Sequence, residues 1–293
     1  MKKAISLIIF IAICLLLIFS KQISQITTDV IVNFYIKVLP LLAPTILLNY
    51  IFIYSGGISN IIYDVKLKDA TKHKINKYSL IVLGLISGTP SLASMINEEL
   101  DKSLTKKEVQ NILNCFTVPS LPFLIALINS CSFNNISKIL VIAIPFSIQF
   151  ILFFINDQKI KSDHISFNAP KNENIISKAI LSTARTIVLM SGSIILFSLV
   201  SYPFELFLKG NVLMLIKGLM EFSYPLSYLF STYSIENLSF IIAIISFSSV
   251  SLLVQVKLIA PKVSFKEILK KRLIITALSL LLTTFVIFFL NIR

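Results

Sequence analysis

The sequence predicts an all-α polytopic membrane protein of about six to eight transmembrane helices, with interrupted or re-entrant half-helices in two related halves. Three observations predict it. Of the 293 residues, 56% are hydrophobic and 14% charged, with a mean hydropathy of +0.87, whereas a soluble domain has about 45–50% apolar and about 25% charged residues. The apolar runs are long and continuous, unlike the short alternating strands of an outer-membrane barrel. Several of them are cut by proline, serine or threonine, and such cuts recur on both sides of a polar connection at 156–185. Seven glycines and no tryptophan also argue against a Gly-rich nucleotide-binding fold.

Lys2 and Lys3 precede an apolar run at 4–19. A cleaved signal peptide and a retained anchor both fit that pattern. No small-x-small cleavage site follows, and Lys21, Gln22 and Ser24 come next, so 1–22 reads as a signal-anchor helix. The first half spans 30–155. Its segment 30–54 is long enough to cross with tilt and should kink, because Pro40 and Pro44 each lack a backbone donor. Residues 78–97 are broken at Ser87-Gly88-Thr89-Pro90, and neither piece is long enough to span alone. Residues 98–111 read as a surface helix in which Thr105 and Glu108 form a capping box. Residues 112–131 are cut at Thr117-Val118-Pro119-Ser120-Leu121-Pro122, and 136–155 form a conventional span kinked at Pro145.

The stretch 156–185 reads as a cytoplasmic connection whose last part, 174–186, lies along the membrane surface. The second half, 186–293, has a span at 187–208 and a tight turn at Lys209-Gly210-Asn211. An apolar segment at 212–230 holds Lys217, Glu221 and Pro225, and another at 238–256 is rich in serine. A basic stretch at 257–272 leads to a last span at 273–290. If 78–97 and 238–256 both leave on the side they entered, the N-terminus and four long basic connections share the cytoplasm with 21 of the 27 Lys and Arg. That count falls to about 15 if every segment crosses, and the positive-inside rule favours the larger. The same rule accounts for the net charge of +13 without a nucleic-acid partner; the lipid bilayer is the partner expected.

Cys14, Cys115 and Cys131 lie in apolar stretches, too far apart for a CxxC motif, and read as small buried hydrophobes. His73 and His164 stand in loops without HExxH or a cysteine partner, so no metal and no cofactor is assigned. GxSxG, paired intramembrane aspartates and phosphate loops are absent, and no enzyme is expected. Interrupted segments in corresponding places of two halves are the sequence pointer to a transporter site. The alternative is that the prolines only kink helices for packing.

At these interruptions the chain resembles the sporulation integral membrane proteins of the YlbJ (SpoVV) type, which carry nucleoside-recognition Gate domains. Leu39-Pro40-Leu41-Leu42-Ala43-Pro44, followed by Gly56-Gly57, is similar to the family's opening proline-bearing helix. Gly84-Leu85-Ile86-Ser87-Gly88-Thr89-Pro90 is similar to its G-L-x-S-G-Y-P motif, with Leu104-Thr105-Lys106-Lys107-Glu108 at the expected distance. Phe116-Thr117-Val118-Pro119-Ser120-Leu121-Pro122-Phe123 resembles F-T-N-x-S-x-P-L-F, and Gly218-Leu219-Met220-Glu221 resembles a G-L-x-E element. Residues 246–255 resemble the closing G-x-S-G-L-S-V-H-x-Q, with Ser249 and Leu253 where that pattern has Gly and His. The resemblance implies a mother-cell protein of the outer forespore membrane that moves dipicolinic acid.

The expected site follows from the breaks. A helix restarting near Ser91 presents free N–H groups and about half a positive charge, which suits a carboxylate. Ser87, Gly88, Thr89, Pro90 and Ser91 form that break; Thr117, Pro119, Ser120 and Pro122 form the next, and Ser249 and Gln255 belong to the last. The alternative is that these hydroxyls bond helix to helix. Lys217 and Glu221, at i and i+4, form a charge pair that serves substrate or proton coupling, or simply neutralises itself across one turn. Glu205 is expected at the interface. The function expected is transport of a small organic anion; the alternative is a non-transporting assembly factor of the spore envelope. A carrier needs a wet centre, whereas a scaffold can pack its breaks dry.

Overall fold

The computed structural model describes residues 6, 10, 17–57, 60, 61, 68–99, 103–131, 133–158, 160, 174–232 and 234–290. They form helices and their connections, with five spans, or six if one bent pair counts as a single span. The protein is therefore an integral multi-pass membrane protein. The signal-anchor reading of 1–22 and His164 fall largely or wholly outside the described residues.

Helix α1 (Ser20–Asn33) passes through a π-helical turn (Phe34–Val38) into α2 (Leu39–Tyr54), and the two arms meet at 55°. The expected kink falls just before Pro40, whose missing N–H breaks the ladder there, while Pro44 sits inside α2. Then follow α3 (Asp69–Ser87), α4 (Thr89–Glu99), α5 (Lys106–Phe116), α6 (Leu121–Asn129) and α7 (Asn135–Asp157). The second half repeats this order with α8 (Ile175–Ser201), α9 (Gly210–Met220), α10 (Ser223–Ser231), α11 (Ile235–Phe247), α12 (Val250–Ile259) and α13 (Phe265–Leu290).

Each half is thus a long span, a helical hairpin, a broken span and a second long span. The hairpin α3–α4 reaches the bundle centre from the end carrying the basic connections and turns back. At its neck Gly84 meets Leu92 so closely that a Cβ there would stand 2.7 Å from the Leu92 Cβ. At its tip Gly88 (φ 87°) makes the reversal. The hairpin α9–α10 enters from the opposite end. By contrast, the halves of α5–α6 and of α11–α12 run on across the bundle, as Lys106–Asn129 and Glu236–Ile259. Helix α4 packs on α12, and α10 on α6, so each hairpin's returning arm lies on the far portion of the other half's broken span. Behind them α5, α7, α11 and α13 form a framework, with Phe116 against Phe150 and Phe153.

Several expectations need correction. The second hairpin is α9–α10, not 238–256: the helix ends at Met220, Glu221 is extended (φ −145°, ψ 125°), and the two arms pack together. Exchanging which neighbour re-enters leaves every basic connection on the same side. The described residues of 98–111 do not form a surface helix: 98–99 end α4 and 106–111 begin α5. The capping box of Thr105 and Glu108 is present, but the helix it starts dives into the core, with Ile112 and Leu113 fully buried. Residues 174–186 do not lie along the surface either, because α8 is continuous and buries Thr183 and Thr186. His73 lies on α3, not in a loop, and is buried.

Candidate functional site

The breaks of both halves meet at the bundle centre. A Cβ on Gly88 would stand 3.3 Å from the Ser120 Cβ. The Thr89 hydroxyl donates to the Val118 carbonyl at 2.6 Å, tying the first hairpin tip to the first broken span. The Phe123 ring crosses to Phe222 of the second hairpin, centroids 5.5 Å apart. Between them lies a cavity of about 20 Å³ whose polar lining is Ser120, Ser223 and Gln255. That is room for about one water.

Most of the predicted hydroxyls are already committed. Ser87 and Thr117 donate to carbonyls one turn back on their own helices, Leu83 and Leu113. Ser120 and Ser249 cap the second halves of the broken spans, accepting from Phe123 and Leu252 N–H at 3.4 Å. Pro119 breaks the span, and Pro90 and Pro122 sit in first turns, where a missing N–H is harmless. Gln255 donates to Ser193 and, at 3.3 Å, to Ser251, leaving its Oε1 without a partner among the described residues. The Ser91 Oγ, fully buried, also has none.

Two charged groups at the centre have partners that the sequence pattern does not give, Glu221 and Arg272. Glu221 does not pair with Lys217. Its carboxylate accepts from the Ser223 backbone N–H at 3.0 and 3.1 Å and from the Ser223 hydroxyl, so it caps the start of α10. The spacing i, i+4 presumes an unbroken helix, and this one stops at Met220. Lys217 instead pairs with Glu205 at the hairpin's outer flank. Arg272, which sits in a run with Lys270 and Lys271, is fully buried and donates to the Cys115 and Ser246 carbonyls at 2.8 and 3.1 Å. One signal for it was available: the helical donor to the Cys115 carbonyl would be residue 119, and that residue is proline.

Cavities lie in file along the bent pair α1–α2. Toward the end opposite the basic connections is a vestibule of about 850 Å³ between α1 and the second hairpin. Asp29, Asn33, Glu205, Lys217, Tyr224 and Tyr228 are among its lining residues. The central cavity follows one residue along, at Phe34 and Phe222–Ser223. Two turns further on α2, past fully buried Ile46, a polar cavity of about 110 Å³ opens among Tyr50, Tyr54, Ser94, Glu98 and Arg185. Its walls are joined by Tyr50–Thr186 and Tyr54–Ser182 hydroxyl bonds of 2.8 and 2.7 Å.

The basic end is fastened separately. His73 Nε2 lies 2.7 Å from Glu108, and Lys77 lies 3.3 Å from Glu108 and 2.8 Å from Asp157. These buried pairs join α3, α5 and α7. Gln110 joins α5 to the start of α13 through Ser264. Cys115 and Cys131 are buried free thiols. No protein-family model, curated protein or solved structure matches the chain.

Proposed function

We propose that the chain is a membrane carrier for a small organic solute, passed along α1 and α2 through the centre where the two hairpins and two broken spans meet. The observation that carries this reading is the file of three cavities crossing that centre. Non-helical backbone at membrane depth is tolerated where it is buried in protein or lines a wet cavity. Paired breaks in oppositely oriented halves are the arrangement by which one site is exposed to each side in turn.

By the resemblance, the solute is an organic anion, dipicolinate, and the membrane the outer forespore membrane. The charge distribution differs between the two ends. Arg185 and Glu98 balance each other at the basic-end cavity, whereas among the described residues the vestibule at the other end carries Asp29 and Glu205 against Lys217. An anion therefore meets balanced charge at the first and a net negative charge at the second. The start of α10 is already filled by Glu221, so the available helix start is that of α4, beside the unpartnered Ser91 hydroxyl.

The second reading is the assembly factor, and the small central cavity favours it, because about 20 Å³ admits no aromatic dicarboxylate. Counterflow in proteoliposomes separates the two. Labelled dipicolinate should accumulate in vesicles preloaded with unlabelled dipicolinate. Accumulation of a zwitterion or a nucleoside instead keeps the carrier and replaces its substrate. No accumulation of any of the three leaves the scaffold.

A further inference from the structure

Helices α5 and α11 approach the centre from opposite ends of the bundle, and both present their C-terminal carbonyls there. Two carbonyls have lost their helical donors for separate local reasons. Cys115 would accept from residue 119, which is Pro119, and Ser246 would accept from Val250, which the left-handed Ser248 and Ser249 carry off the helix axis. Each helix end carries about half a negative charge, so the two together present about one. On them lies one guanidinium, that of Arg272, donating to both carbonyls at 2.8 and 3.1 Å. It is wholly buried, and no ion pair joins it to a carboxylate among the described residues. A charge inside a membrane bundle needs an opposite charge near it, and here the two helix ends are that charge.

Unwound carbonyls and half-helix C-termini are where membrane carriers coordinate mobile cations. We propose that Arg272 is the resident cation of this centre, occupying on the α5 and α11 carbonyls the place of a mobile alkali cation, so that the breaks assemble without one. A guanidinium is held covalently and stays protonated, so the charge does not leave with the solute. The consequence for transport, that turnover is indifferent to sodium, rests on the carrier reading; the assembly claim does not.

Thermal unfolding of the purified full-length protein in detergent tests it at constant ionic strength. The wild type should melt at the same temperature in sodium, potassium and choline chloride. Melting raised by sodium over choline overturns the proposal. Among variants, Arg272→Lys, which keeps the charge, should melt above Arg272→Gln, which keeps a donor without charge. Arg272→Ala should melt lower and regain temperature with millimolar methylguanidinium or sodium but not with choline. Arg272→Gln equal to the wild type and insensitive to every cation also overturns it, because the carbonyls then need no cation. Counterflow separates the two claims: flux in sodium but not in choline defeats the resident cation alone, and flux in neither defeats the carrier.

Discussion

The two broken spans stand in corresponding places and are broken by different means. In α5–α6 the chain leaves the helix at Thr117 (φ −76°, ψ 87°), passes Pro119 and restarts from Ser120 (φ −64°, ψ 144°), conformations any residue adopts. In α11–α12 the break is two serines, Ser248 at φ 75° and Ser249 at φ 61°, ψ 149°, a region glycine ordinarily fills. The hairpins differ likewise. The first turns on Gly88, the second on Glu221, whose carboxylate is buried. The first half therefore reaches its geometry with residues that favour it. The second holds its broken span against local preference at Ser248 and Ser249, while Arg272 clamps the broken spans of both halves. Strain of this kind collects in elements that rearrange, and the second half is the one we expect to move.

The largest effect should come from Glu221. Removing it as Glu221→Ala strands the Ser223 N–H and hydroxyl, and should destabilise by about 3 kcal/mol. A cap of the first half, removed as Ser120→Ala at the start of α6, should lose about 1 kcal/mol. Unfolding of both variants in detergent checks the pair, and equal losses would erase the contrast between halves. Next is Gly88→Ala, which forces a Cβ into a left-handed conformation against Ser120 and should lose about 2 kcal/mol.

Substituting glycine should act with opposite sign in the two broken spans. Ser248→Gly relieves the left-handed serine and should gain about 1 kcal/mol. Thr117→Gly relieves nothing, frees the unfolded chain and should lose about 0.5–1 kcal/mol. Melting temperatures moving the same way for both would show that the breaks are not differently strained. The smallest effect belongs to Lys217→Met. Its partner Glu205 is about a third exposed, with a side chain 35% accessible, and such pairs contribute about 0–1 kcal/mol. A loss above that range in the same melting assay would place Lys217 among the groups holding the centre.

The difference between the halves also explains what could be read ahead of the structure. Pro119, Pro122 and the Ser87-Gly88-Thr89-Pro90 run announce the first half's breaks because each residue removes a donor or permits a positive φ. Thr105 and Glu108 announce the start of α5 in the same local way. At the second half's Glu221 and Ser248–Ser249 breaks no such signal stands, although Gly210 marks its turn. Serine-rich 246–251 resembles a re-entrant tip, yet whether a broken helix doubles back depends on whether its arms pack, a tertiary matter. Counting basic residues does not decide it, since either assignment leaves those connections on one side. Lys217 and Glu221 look paired only while the helix is taken as continuous. Arg272 looks like its lysine neighbours until α13 is seen packed on both broken helices. The resembled closing motif has glycine at the place of Ser249, so the sequence alone marked an oddity there but not its geometry.

The central claim is that the closed centre opens to each side in turn. Ile194 and Leu252 both line the central cavity and are buried, at 6% and 3% exposure. In a background with Cys14, Cys115 and Cys131 replaced, Ile194→Cys and Leu252→Cys should each be modified by a membrane-impermeant maleimide added on either side of sealed vesicles. Modification from neither side, or from one side only, would contradict the carrier and leave a bundle whose breaks are packed shut.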